Sequence, residues 1–152
     1  MQKLTSSVVI DAPPEAIWPL FFTDDRIPLL FRFGLPKAVS CSIIAGDGTP
    51  GSIRRCITTR GYMDQVIEQA EPMARFGYRL IESDYWGQGH IGHVSDDIRL
   101  ERITPNQTRV HRVTRFDAKG PLRWPGLWVM RLGFIAAHRY ANENWKRLAE
   151  AA

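Results

Sequence analysis

Ile91–Asp117, IGHVSDDIRLERITPNQTRVHRVTRFD, is the stretch on which the fold turns. Thr104-Pro105-Asn106 is turn chemistry between two long alternating runs, so Ile91–Ile103 and Thr108–Asp117 read as an antiparallel hairpin. Side chains two apart on a strand share a face. In the first run Val94, Asp96, Ile98, Leu100 and Arg102 fall together, opposite His93, Ser95, Asp97, Arg99 and Glu101. In the second, Val110, Arg112, Thr114 and Phe116 oppose Arg109, His111, Val113 and Arg115. The more apolar set of each run is expected to turn inward. An even register then pairs Glu101 with Arg109 or His111 on the outside. It also aims Asp96 and Arg112 into the interior on neighbouring strands. A buried charge without a partner is very costly, so the two are expected to meet. Such a pair reads as a polar anchor for a ligand carbonyl or carboxylate, as an acid/base device, or as a structural ion pair.

Upstream the same chemistry repeats. Lys37–Ala45, Ser52–Arg60, Tyr62–Glu71 and Ala74–Ser83 are strand candidates, separated by Gly46-Asp47-Gly48-Thr49-Pro50-Gly51, by Gly61 and by Pro72, with Gly87-Gln88-Gly89 before the hairpin. Connections this short imply an antiparallel meander. Leu4–Asp11 is β-branched and reads as the first strand. Ala12-Pro13-Pro14-Glu15 then opens a helix carrying Ile17, Trp18, Phe21 and Phe22, which Pro19 should shorten or kink. Arg26–Phe33 is a second short helical or irregular piece, broken by Pro28. From about Trp124 to the C-terminus runs a long helix with Leu127, Met130, Phe134, Ala137/His138, Ala141, Trp145 and Leu148 on one face. Trp128, Leu132 and Ile135 add a second apolar side to its first half. Packing against the short helices with Trp18, Phe21, Phe22 and Phe31 is the first explanation, and a greasy cavity mouth or a subunit contact, hence a homodimer, the alternatives.

This order, together with Val9-Ile10-Asp11-Ala12-Pro13-Pro14-Glu15-Ala16-Ile17-Trp18, Gly51-Ser52-Ile53-Arg54-Arg55, and Glu68-Gln69-Ala70-Glu71-Pro72 leading into Arg75-Phe76-Gly77-Tyr78-Arg79, resembles the START/SRPBCC superfamily of birch-pollen-allergen-like proteins, on its polyketide cyclase/dehydrase-like branch. The resemblance covers essentially the whole chain, with Pro19 and Pro28 departing from the usual first-helix pattern. It implies an α+β helix-grip fold: a curved seven-stranded antiparallel sheet wrapped around a long C-terminal helix, two short helices after the first strand, and a hydrophobic cavity between sheet and helix. It also implies binding of a small hydrophobic molecule of lipid, polyketide or aromatic type. Alternatives are a cofactor-free cyclase, aromatase or dehydratase, and a protein-interaction module.

The expected pocket walls are Phe76, Leu80, Val94, Ile98, Leu100, Val110, Phe116, Met130 and Phe134. Asp96, Arg112, Thr114 and Tyr78 are its polar groups. Asp96, Arg112 and Tyr78 are also the catalytic candidates: Arg112 to stabilise an enolate, Asp96 or Tyr78 to exchange protons. Tyr78 reads first as a core aromatic with a satisfied hydroxyl. Tyr62, Asp64 and Glu68 share a face with Val66 and read as a solvated strand surface or as paired carboxylates. His138 reads first as a satisfied core histidine. His90 and His93, three apart in an extended segment, point to opposite faces and lack a standard metal set, so no metal is expected. The chain has no glycine-rich phosphate loop, GxSxG or CxxC, so no cofactor is expected. A hairpin symmetrical about Gly48-Thr49 sets Cys41 opposite Cys56, both expected as free thiols.

Composition sets the outer bounds. With 152 residues, 44% hydrophobic and 24% charged, the chain suits one globular domain spanning 1–152. No run approaches the roughly 18 apolar residues of a membrane span, and Met1–Ile10 carries no secretory pattern, so a soluble cytoplasmic protein is expected. A net charge of +4 and a pI near 9.4 invite a nucleic-acid reading. The arginines are instead dispersed, mostly alternating with apolar residues, which argues against that partner.

Overall fold

The computed structural model describes residues 1–22, 38–58, 61–84 and 88–152. Strand β1 (Gln2–Ile10) begins two residues before the expected Leu4. Pro14 and Glu15 open the one-turn helix α1 (Pro14–Ile17), where a missing N–H and an early acid suit a helix start. At Trp18-Pro19 it tightens into a 3₁₀ turn ending at Phe21. The expected helical piece Arg26–Phe33, with Pro28 and Phe31, lies outside the described residues.

Strands β2 (Ala38–Ala45), β3 (Ile53–Thr58), β4 (Gly61–Glu71), β5 (Arg75–Ser83), β6 (Ile91–Thr104) and β7 (Gln107–Ala118) follow, then helix α2 (Arg123–Glu150). They form one antiparallel sheet in the order β1-β7-β6-β5-β4-β3-β2. The β2–β3 turn depends on Gly46 at φ 84°, where a Cβ would fall on the Ser52 hydroxyl. That hydroxyl accepts the Asp47 and Gly48 amides.

The expected registers hold. Glu101 lies opposite Arg109 and is ion-paired with it at 3.1 Å. Cys41 lies opposite Cys56. The expectation of free thiols is corrected: the two are joined as a disulfide. Direct opposition on adjacent strands places the sulfurs within bonding reach, whatever compartment the composition suggested. Arg102 leaves the interior, because its strand ends where α1 crosses, and there it pairs with Glu15.

Helix α2 packs on β1 and β7, with Leu127, His138, Asn144, Trp145 and Ala149 buried. Its end is pinned to β1: Lys146 bonds the Val9 carbonyl and Glu150, which also accepts the Asp11 amide. Among the described residues the interior contains two apolar clusters. One joins Ile10, Ile17, Phe21, Ile67, Phe76, Ile98, Val110 and Trp145. The other joins Phe116, Ala118 and Leu127, with Leu4, Val94, Met130 and Phe134 against it.

The expected packing of the first half of α2 is corrected for the first short helix, while the part that falls on Phe31 lies outside the described residues. Trp18 and Phe21 are spent on Phe76, and Phe21 also meets Trp145. Trp124 and Trp128 remain 68% and 69% exposed. Among the described residues no helix is long and apolar enough to cross a membrane.

Candidate functional site: a polar layer between two apolar clusters

Along each inward face the two apolar clusters are interrupted by polar side chains at the same level. On β1 the order is Leu4, Ser6, Val8, and on β6 it is Val94, Asp96, Ile98. On β7, Thr114 and Arg112 stand between Phe116 and Val110, and on α2, His138 stands between Phe134 and Ala141. Strand pairing aligns them: Ser6 is opposite Arg112, Asp96 opposite Thr114, and Tyr78 opposite Asp96. The layer therefore runs from β1 across β7 and β6 to β5, with α2 above it.

Asp96 is its hub. Arg112 donates from Nε (3.1 Å) and Nη2 (2.7 Å), one bond to each carboxylate oxygen. The Tyr78 hydroxyl donates to Oδ2 at 2.5 Å and Thr114 Oγ1 donates to Oδ1. The Asp96 side chain is 2% exposed and that of Arg112 10%. Burial works against the carboxylate, but the Arg112 charge and the four hydrogen bonds outweigh it and hold the Asp96 pKa at about 2. Burial and the Asp96 charge push the Tyr78 hydroxyl up to about 12. The phenol is neutral throughout the physiological range.

The hydrogen-bond pattern also assigns a tautomer. Asp96 is ionised and can only accept, so the single Thr114 proton points to it. His138 Nε2, 2.5 Å from Thr114 Oγ1, must then be the protonated ring nitrogen. Nδ1 is left as acceptor for the Ser6 hydroxyl at 2.7 Å, and Ser6 in turn accepts from Asn142 Nδ2 at 3.3 Å. Burial, reinforced by the Arg112 charge, lowers the His138 pKa to about 4, which keeps the ring neutral and both nitrogens committed.

A second guanidinium borders the layer. Arg54 on β3 is buried, donates to Gln65 Oε1 from Nε and Nη2, and donates to the Phe21 carbonyl from Nη1. Its charge lies 4.5 Å from the Tyr78 ring centre and 5.0 Å from that of Phe76. Burial lowers its pKa, yet an arginine so placed stays protonated.

The structure brings the sequence-predicted residues together in two groups around this layer. Phe76, Tyr78, Ile98, Leu100 and Val110 belong to the first cluster, and Val94, Phe116, Met130 and Phe134 to the second. Leu80 is half-buried and in neither, beside the irregularity that shifts the β4–β5 pairing at Gln65. Tyr62 and Glu68 lie nearer the surface, in contact with Arg55, Glu82 and Arg79, whereas Asp64 is buried and ion-paired with Arg55. His93 bonds Ser95. Among the described residues no three His, Cys, Asp or Glu side chains form a metal-holding group. Arg54, Gln65, Ser6 and Asn142 were not singled out by the sequence. The signal for Arg54 was its spacing of two from Cys56.

Comparison with known proteins places this architecture. Residues 1–150 match the family model described as polyketide cyclase / dehydrase and lipid transport. Among solved structures, Ara h 8.0201 is similar at 16% identity, with TM-score 0.67 over 99% of this chain and 95% of that one. A START superfamily protein from Mycobacterium smegmatis is similar at 14% identity, TM-score 0.69, over 96% and 98%. The ZhuI aromatase/cyclase from Streptomyces sp. R1128 is similar at 14% identity, TM-score 0.65, over 96% and 94%. Identities this low speak for the helix-grip fold alone. No protein of curated function matches the sequence. The chain belongs to the polyketide cyclase/dehydrase and lipid transport family.

Proposed function

We propose that this family member binds a small, mostly apolar molecule between sheet and α2, and that the polar layer anchors a carbonyl or hydroxyl group on it. One observation carries the reading: a set of placed polar groups, buried at Asp96, Arg112, Thr114 and His138, lies between apolar side chains, several of which (Leu4, Val94, Met130, Phe134) are only half-buried. Apolar walls with a few fixed polar groups are the ordinary composition of a ligand site. Two guanidiniums face one carboxylate in the layer, so its excess charge is positive and suits an electron-rich oxygen.

Binding is favoured over catalysis by the state of the same groups. A general base or acid works best with a pKa near the operating pH. Asp96 at about 2 is too weak a base and Tyr78 at about 12 too weak an acid. His138 has no free nitrogen. The resemblance to an aromatase/cyclase supports a shared container, not a shared reaction.

The test is native mass spectrometry of protein purified from its own host. The expected result is a retained organic mass that Val110→Trp, which fills the first cluster, expels while the far-ultraviolet circular dichroism stays native. Absence of any retained mass, together with no uptake of an apolar fluorophore such as Nile red that Val110→Trp abolishes, overturns the proposal.

A further inference from the structure

Helix α2 carries a second apolar stripe that none of the described residues covers. Trp124, Trp128, Leu132 and Ile135 recur at spacings of four, four and three, so they share one face. They are 68%, 69%, 65% and 46% exposed, with Leu122 and Val129 beside them also bare. The buried residues of the same helix, Leu127, His138 and Trp145, lie on another side. An apolar surface of this kind on a soluble domain marks an interaction site.

Charge says what covers it. From Lys119 to Asn142 the sequence holds four cationic residues, Lys119, Arg123, Arg131 and Arg139, and no Asp or Glu. Asp117 and Glu143 at its ends hold two of the four, Arg123 at 3.1 Å and Arg139 at 3.2 Å, which leaves Lys119 and Arg131 as the excess positive charge. Arg139 continues the stripe one turn beyond Ile135, and the Arg123 guanidinium lies over the Trp124 ring at 5.3 Å. A second copy of the chain fits poorly. A two-fold contact through this face would bring Lys119 and Arg131 of both copies together, with no carboxylate between residues 119 and 142 to offset them. A helix with tryptophans and leucines on one side and arginines around them matches what lies flat in the headgroup region of an anionic bilayer.

We infer that the first half of α2 is a docking surface for an anionic lipid bilayer. The helix lies in the plane of the leaflet, its indoles at headgroup depth and its arginines against lipid phosphates and carboxylates. From Arg123 to Ile135 it presents about 20 Å of apolar edge, which suits reversible attachment. The inference stands apart from the interior ligand, since none of these side chains belongs to the polar layer.

The test is co-sedimentation of the full chain with vesicles of phosphatidylcholine containing one-third phosphatidylserine, set against pure phosphatidylcholine. Binding to the anionic vesicles should be at least tenfold stronger and should weaken between 0.1 and 0.5 M salt. The exposed pair Trp124→Ser, Trp128→Ser should reduce it at least tenfold at unchanged melting temperature, and Arg131→Gln about fivefold. Equal partition onto both vesicle types, or none, overturns the inference. So does a dimer in sedimentation velocity that the tryptophan pair dissolves, because then a second copy covers the face.

Discussion

Replacing Arg112 by Met removes the cation while leaving an apolar side chain of similar reach. Asp96 then keeps its burial and loses its charge partner and two of its four donors. Stranding one member of a buried pair costs about 3–5 kcal/mol, and the surviving bonds from Tyr78 and Thr114 place this case near the lower end. For a chain of this size that is a fall in melting temperature of about 6–12 °C. The pH dependence adds a signature. In the native protein the carboxyl sits at about 2, below its unfolded value, so its contribution is complete above pH 4 and fades towards pH 2. Without Arg112, burial dominates and raises it above the unfolded value, so protonation relieves the variant as the medium becomes acidic. The gap between wild type and Arg112→Met should therefore narrow from pH 7 to pH 4.5. Asp96→Asn added to Arg112→Met should narrow it at pH 7 already. Urea denaturation followed by circular dichroism reads both effects. A loss under 1 kcal/mol at pH 7 with a gap independent of pH would refute the burial of the pair.

Three further outcomes are expected. His138 is held at about 4 against an ordinary value near 6.5, so its neutral burial stabilises fully above pH 6.5 and that contribution is lost as pH falls through 4. On the order of 2 kcal/mol should disappear across that window, His138→Gln should flatten the slope, and nitrogen NMR should find the proton on Nε2. Arg54→Met leaves Gln65 Oε1 and the Phe21 carbonyl without their donor and should cost about 1–3 kcal/mol in urea titrations. Arg54→Lys should fail to restore it, since one ammonium cannot span both acceptors. Reduction of the Cys41–Cys56 bond, which closes a separation of 15 residues, should lower stability by about 3 kcal/mol, and a melting temperature indifferent to reductant would contradict the bond.

The interior of the β6–β7 hairpin was legible because both strands alternate cleanly and their turn sets the register. Asp96, Arg112 and Thr114 followed from period two alone. Tyr78 was readable on the same ground, opposite the arginines of its strand. Strand β3 misleads by that rule. Its arginine at 54 is buried while Ile57 is 51% exposed, the inverse of a hydropathy reading. There the disulfide and the hydrogen bonds to Gln65 and Phe21 decide the facing, and only the spacing of two from Cys56 hints at it in the sequence. Ser6 and His138 are 132 residues apart in sequence, and only the docking of α2 on β1 joins them. The bare stripe of α2 was visible as excess apolarity. The first short helix does not cover it, because Trp18 and Phe21 find Phe76 and Trp145 instead.

The carboxylate at position 96 ties three neighbouring strands to one another and, through a threonine and an imidazole, to the helix and the first strand as well. For sequence change this has an awkward corollary. Each member, altered alone, abandons a partner in a dry place and loses stability, whereas exchanging the whole set for well-fitted hydrocarbon can be neutral or better. Drift away from the present arrangement must cross a valley in single steps or leap it in several at once.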